Sequence, residues 1–531
     1  MVFPSIRLST LQIFNFRKSN RVVVKSSNGS HPPVKRSDFP PDFAFGVGTS
    51  APQSEGAAKL DGKGTSIWDL YIKEHPEWIK DGSKMDVACD CYHRYKEDIA
   101  MMKYMGVTAY RFSIAWTRIL PITLQTLLSY EVSQSFELLD GSLKAGINQQ
   151  GIDHYNNVLK ELELNGIEPY VTLFHFDLPQ ALEDKYGGIL SIDFVKDFRD
   201  YCDVCFKEFG EKVKHWVTIN EAPIVAENSY CVGLSPPRRC SPWKGCKVGD
   251  SGKEPYIVLH HMILAHAVVA KLYKEKYKDT QGGEVGISLV GIWCPPYSDS
   301  PEDLAAAERI RDFRMGWCLE PFFYGHYPIS MKNLVKDRLP TFSDHEKRMV
   351  MGSLDFISIN YYSSNYAKGL PLIITEPYSW DTDSCVQRTQ ENARGEFIGP
   401  LQDLNSPFRT YPEGLRQLLV HLTHRYDSPK LYISENGTGR TDENTKEFLQ
   451  GKLNDEYRIQ FILDHLDAVK RAREEGADVV GFFVWSLLDD FEFDLGCSYR
   501  FGLMFTDFDD NQRRIPKRSM EWYHSFLTVD E

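Results

Sequence analysis

Two glutamates stand where apolar strand patterns stop. Glu221 directly follows "HWVTIN" (215–220), and Glu435 lies in "LYISEN" (431–436), with the turn signal Asn436-Gly437 at its end. If both strands belong to one barrel, the two carboxylates meet at its mouth. Carboxylates so paired are what glycoside hydrolysis needs. One, with a raised pKa, protonates the leaving oxygen; the other, kept ionised, attacks the anomeric carbon or activates water. Attack with retention asks for a separation of roughly 5–5.5 Å. Arg111 would supply a cation that favours an ionised Glu435, and a hydrogen bond from Tyr362 would hold that carboxylate in place.

The strands that must position these groups recur at intervals. They are "FAFGVGTS" (43–50), "AYRFSIAW" (109–116), "PYVTLFHF" (169–176), "HWVTIN" (215–220), "EVGISLVGIW" (284–293), "FISINYY" (356–362), "LYISEN" (431–436) and "VVGFFVWSLL" (479–488). Most are continuous apolar runs, the pattern of parallel strands buried on both faces. Helical patterns separate them. "DFRDYCDVCFKEFG" is one; "SPEDLAAAERIRDFRMGW" opens on Ser300 as cap with Pro301 in the first turn, and Ser343 with Glu346 forms a capping box. Eight strand–helix repeats predict a single (β/α)8 TIM barrel of the α/β class. Arg111, His175, Asn220, Glu221, Asn360, Tyr362, Glu435 and Trp485 then fall at the C-terminal strand ends, where barrel sites sit.

Other chemistries are not supported. The chain has no G-x-S-x-G elbow and no phosphate-binding G-x-x-x-x-G-K-[ST]; "DGKGTS" (61–66) lacks the spacing and reads as a loop. "HLTH" (421–424) lacks the glutamate of a metalloprotease helix, and no dinucleotide fingerprint follows a strand. Lys and Arg total 61 against 74 Asp and Glu, and this net charge of −13 disfavours nucleic acid and anionic membrane as partners. The longest apolar run, near 479–488, is roughly half a membrane span. Cys202 and Cys205 fall at helical core spacing with Phe194, Phe198, Tyr201 and Phe206. Cys240 and Cys246, in a Pro/Gly-rich loop, are close enough to clip it in an oxidising compartment. Residues 1–37 carry seven Arg or Lys and no acid. That stretch fits an organelle transit peptide, hence a plastid; read as a disordered tail or a misassigned start, it leaves cytosol or vacuole open.

With these residues in view, the chain resembles the plant β-glucosidases of glycoside hydrolase family one over nearly all of residues 38–528, taken here as the catalytic domain. The resemblance rests on "DFPPDFAFGVGTSAPQSEGA", "YRFSIAWTRILP", "VTLFHFDLPQALEDKYGG", "WVTINEAP", "INYYSSNY", "LYISENG" and "VWSLLDDFEFDLGCSYRFGL". It implies Glu221 as acid/base and Glu435 as nucleophile, with net retention. It also implies that Asn220 holds the sugar 2-hydroxyl and that Gln53, His175 and Glu492 bond the other hydroxyls. Trp485 would form the platform under the ring, Tyr362 would orient Glu435, and Arg111 and Asn360 would support that side. The Cys240–Cys246 pair matches a loop disulfide of plant members. The resemblance implies a small β-glucoside as partner and neither cofactor nor metal. Glutamate rather than glutamine at 221 implies O-glucosides rather than thioglucosides.

Three departures stand out. Phe493 replaces the family's Trp, so the indole N–H that reads a glucose hydroxyl is missing and glycone recognition should be altered. Ala222 separates the acid/base from Pro223 and would shift the following turn. Residues 122–144 replace a short Gly-rich loop with an apolar insertion, read as a gene-model artefact or as a lid on the aglycone side. Two rivals share the fold: a transglucosidase passing glucose to another acceptor, and a catalytically weak sugar-binding homologue. Ile224, Val225, Asn228 and the surroundings of Ser363 shape the aglycone side without naming a substrate, and nothing in the sequence speaks to oligomeric state.

Overall fold

A computed structural model describes residues 34–121, 143, 146–444, 446–451 and 453–528. Residues 1–33 of the basic stretch, and the insertion apart from Leu143, lie outside the described residues. Val34 is buried in the core, and Arg36 lies over the Phe45 ring.

Twelve strands occur among the described residues. In chain order they are β1 (Ala44–Gly48), β2 (Ala109–Ser113), β3 (Glu168–Phe174), β4 (His215–Asn220), β5 (Glu284–Gly291), β6 (Phe356–Tyr361), β7 (Tyr366–Gly369), β8 (Val386–Thr389), β9 (Leu431–Asn436), β10 (Val479–Trp485), β11 (Met504–Asp507) and β12 (Arg513–Pro516). Eight of them close a barrel in the order β1-β10-β9-β6-β5-β4-β3-β2. Every neighbouring pair in it is parallel. These are the eight apolar segments of the sequence; β4 and β9 match theirs residue for residue, and the other six stop short of the segment's C-terminal end, where the chain leaves the sheet. At 176, for example, Phe176 adopts φ +73°, a left-handed conformation that breaks strand geometry. The hairpins β7–β8 and β11–β12 are antiparallel additions outside the barrel.

Both faces of the strands are covered, which is why they carry so little polar alternation. Helix Asp193–Phe209 buries Phe194, Phe198, Tyr201, Cys202, Cys205 and Phe206, so the C-x-x-C pair is core packing. Ser300 and Ser343 cap their helices as read from sequence. The helix Glu254–Lys276 is long and apolar enough to cross a membrane, yet 78% of its most apolar window is buried inside the protein. It lies against helix Asp193–Phe209 as a core element of the barrel's outer ring. Cys240 and Cys246 form a disulfide, and the other nine cysteines are free.

A buried charge cluster fixes the segment after β10. Lys517 bonds Glu443 and, at 2.6 Å, Asp489; Arg500 reaches Asp489 at 3.0 Å and Arg458 reaches Glu443 at 2.9 Å. Burial alone would raise the Glu443 carboxyl, but Arg458 and Lys517 bring it down to about 2. Removing one member of such a cluster strands the others without compensation. The loop held in this way carries Glu492 and Phe493.

Candidate active site

Glu221 and Glu435 both sit at the C-terminal rim, one just past the end of β4 and the other on β9. Glu221 follows the last residue of β4 and has φ +48°. Its N–H donates to Ser288 O at 2.8 Å, and helix Ala222–Tyr230 begins at the next residue. Ala222 and Pro223 form the first turn of that helix, where proline has no N–H to lose. Glu435 is the penultimate residue of β9, 3% exposed. The glycine that follows Asn436 is required by space: a Cβ on Gly437 would come within 1.8 Å of Trp485 O. That contact lets β9 run out beside the end of β10.

The environments of the two carboxyls differ in kind. Glu435 Oε1 accepts from Arg111 Nη1 at 2.5 Å, and its Oε2 accepts from Tyr362 OH at 2.6 Å. Both oxygens therefore meet strong donors, one of them cationic. Glu221 Oε1 accepts only from the neutral amide of Asn360, at 2.9 Å, and Oε2 has no hydrogen-bond partner among the described residues. Burial, then the charge of Glu435, pushes the Glu221 carboxyl up to about 7. If Glu221 must deliver a proton, kcat/KM on a glucoside with an alkyl-type leaving group should hold up to about pH 7 and fall above it. A pH–rate profile checks this; the sign follows from Glu221 losing its proton as pH passes that value.

The two glutamates are joined by one hydrogen-bonded chain. Arg111 Nη2 donates to Asn220 Oδ1 at 2.6 Å, and Asn360 Nδ2 donates to both Asn220 Oδ1, at 3.1 Å, and Glu221. Asn360 Oδ1 in turn accepts from Ser288 at 3.0 Å and Ser434 at 2.6 Å. Neither serine was singled out by sequence. Their signal was a small polar residue inside an otherwise apolar strand, where only an inward-facing partner makes it affordable.

The remaining site residues line the same mouth. His175 approaches Asn220 at 3.4 Å and lies parallel to the Trp485 ring, 6.1 Å between centres. Burial, reinforced by Arg111, drives the imidazole pKa well down, so it is neutral. Gln53 Nε2 donates to Glu492 Oε2 at 3.0 Å, and Ser50 fixes the other end of that amide at 2.8 Å. Trp485 packs with Tyr362, Tyr499 and Phe501. Phe493 is fully buried, its ring 4.7 Å from Trp68 and 5.5 Å from Phe176, and it offers no polar atom. Ile224, Val225 and Asn228 line a small cavity with Trp68 and Phe176, whereas Ser363 is bound to the Arg409 backbone. Asn436 donates its side-chain N–H to Tyr361 O at 2.7 Å and is wholly buried, so the folded site leaves no room for a glycan on the Asn436-Gly437-Thr438 sequon.

A closed parallel barrel with two unlike carboxyls at its mouth defines a glycoside hydrolase of the (β/α)8 class. Comparison with known proteins narrows this. Residues 35–531 match the model of glycosyl hydrolase family 1. β-Glucosidase 12 of Oryza sativa subsp. indica is 46% identical over 503 residues, 94% of each chain. The furostanol glycoside 26-O-β-glucosidase of Hellenia speciosa is 46% identical over 495 residues, 93% of this chain and 83% of that one. A mutant of the rice β-glucosidase Os3BGlu6, solved in a covalent complex with Glc from GA4GE, superimposes with a TM-score of 0.86 at 42% identity, covering 93% of this chain and all of that one. The chain belongs to glycosyl hydrolase family 1. Within it, the protein is a β-glucosidase.

Proposed function

We propose that this β-glucosidase is a retaining enzyme that releases β-D-glucose from small plant O-glucosides, with Glu435 as nucleophile and Glu221 as acid/base. The observation that carries the assignment is the difference in donors. Glu435 is bound by a guanidinium and a phenol; Glu221 meets one neutral amide and has its pKa raised to about 7. In the first step Glu435 attacks the anomeric carbon. The bond to the aglycone oxygen breaks, its electron pair stays on that oxygen, and Glu221 delivers the proton that makes it a neutral alcohol. Glucose is left as an ester of Glu435.

Esterification removes the negative charge that helped hold the Glu221 proton. The lowered pKa then keeps Glu221 ionised, the form that serves as base in the second step. It takes a proton from water as the water oxygen attacks the anomeric carbon and Glu435 leaves as carboxylate. Two inversions give retention. The covalent glucose complex of the rice relative supports this route. A relative that acts on an O-linked glucoside supports the leaving-group class. Proton NMR of an ongoing reaction tests the stereochemistry. β-Glucose should form first and mutarotate later; α-glucose as first product would refute retention.

A further inference from the structure

We infer that Gln402, which lies outside the catalytic set, is a positioning residue that fixes Tyr362 relative to Glu435. The ladder between β6 and β9 ends at the pairs Asn360–Glu435 and Tyr361–Asn436. Beyond it the two chains part: one continues into Tyr362, the other into Gly437 and Thr438. The Gln402 side chain closes that gap. Its Nε2 donates to Tyr362 O at 2.8 Å, and its Oε1 accepts from Thr438 Oγ1 at 3.1 Å. Gln402 is 4% exposed and Thr438 2%. Both ends of one amide are thus used, in a dry place, to tie together the two segments that carry the phenol and the carboxylate.

The neighbours of Gln402 act in the same direction. The Asp403 carboxylate accepts from Thr441 N at 3.0 Å, and Asn405 Nδ2 donates to Thr441 Oγ1 at 2.8 Å. Residues 402–405 therefore form a latch over the exit of β9. Among residues 402–405 it is Gln402 that bonds the Tyr362 backbone, and the phenol of Tyr362 in turn donates to Glu435 at 2.6 Å. A planar amide with one donor end and one acceptor end matches this pair of partners; a carboxylate or an alkyl chain does not.

The inference rests on Glu435 being the nucleophile, and its test separates the two. Gln402→Ala should lower kcat about 10-fold while KM stays within about 2-fold, because displacement of a positioned group by a fraction of an ångström slows chemistry more than binding. In a Tyr362→Phe background, where there is no phenol left to position, the same change should cost less than about 2-fold. Equal losses in both backgrounds, or an unchanged kcat in the first, would overturn the proposal. Thr438→Val keeps the volume and removes only the hydroxyl; it is read by the same cycle should Gln402→Ala fail to fold. Absence of any glucosyl–Glu435 species in the unmodified enzyme would instead defeat the catalytic assignment itself.

Discussion

Glu435→Ala should lower kcat on the order of 10⁵-fold, about 7 kcal/mol of transition-state stabilisation. The loss is large because nothing near Glu435 can replace it. Arg111 and Tyr362, its two bonding partners, are donors aimed at the carboxylate and cannot attack carbon. Glu221 serves the proton side. The variant also leaves the Arg111 guanidinium buried without its counter-charge, which costs stability. Melting temperature must therefore be measured beside activity. Added azide should fill the vacated space and restore turnover of a 2,4-dinitrophenyl glucoside. The product is then α-glucosyl azide, because attack comes from the face that Glu435 occupied. Residual activity near that of the unmodified enzyme, in folded protein, would show that the nucleophile is elsewhere.

Glu221→Gln should have a loss that depends on the leaving group. Positioned acid catalysis contributes roughly 10²–10⁴-fold. An alkyl-type aglycone leaves poorly as an anion, so the full factor should be lost there. Dinitrophenolate needs no proton, so glucosylation of Glu435 should proceed nearly unimpaired with that substrate. The second step still lacks its base, and the glucosyl-enzyme should accumulate after a burst. The alkaline limb near pH 7 should vanish in this variant, since the group that loses its proton there is gone. A uniform loss across leaving groups, or an unaltered alkaline limb, would assign the proton to another residue. The fold itself should survive, because glutamine at 221 can still accept from Asn360 Nδ2.

What sequence could read follows from the physics of each element. The barrel strands were legible because burial on both faces makes them continuous apolar runs, and parallel pairing then follows from the helices between them. Glu221 and Glu435 were legible as acids ending such runs. The hairpins β7–β8 and β11–β12 were not: strands of four residues with mixed burial carry too little pattern. Helix Glu254–Lys276 carries no plain apolar run in the sequence because His260, His261 and His266 interrupt it. The structure buries His266 completely and satisfies it with Thr218 and Ser353 O.

The supporting shell was the hardest part to see. Gln402 reaches Tyr362 across 40 residues and Thr438 across 36, and no local pattern announces such a bridge. Ser288 and Ser434 converge on Asn360 from neighbouring strands, a relation that exists only once barrel register is fixed. Phe493 was legible as a missing donor. Its aromatic packing against Trp68 and Phe176, which gives the ring a place in the mouth, was not.

Glu435 should form a covalent bond to glucose during turnover. Incubation with a 2-fluoro-2-deoxy-β-glucoside bearing a dinitrophenyl leaving group tests it, because the fluorine slows both steps while the good leaving group restores the first, so the glucosyl ester accumulates. Peptide mass spectrometry of the inactivated enzyme should find one fluoroglucosyl group, on the peptide containing "LYISENG", at Glu435. Folded protein that turns over a β-glucoside yet carries no adduct, or carries it on another residue, would contradict the account.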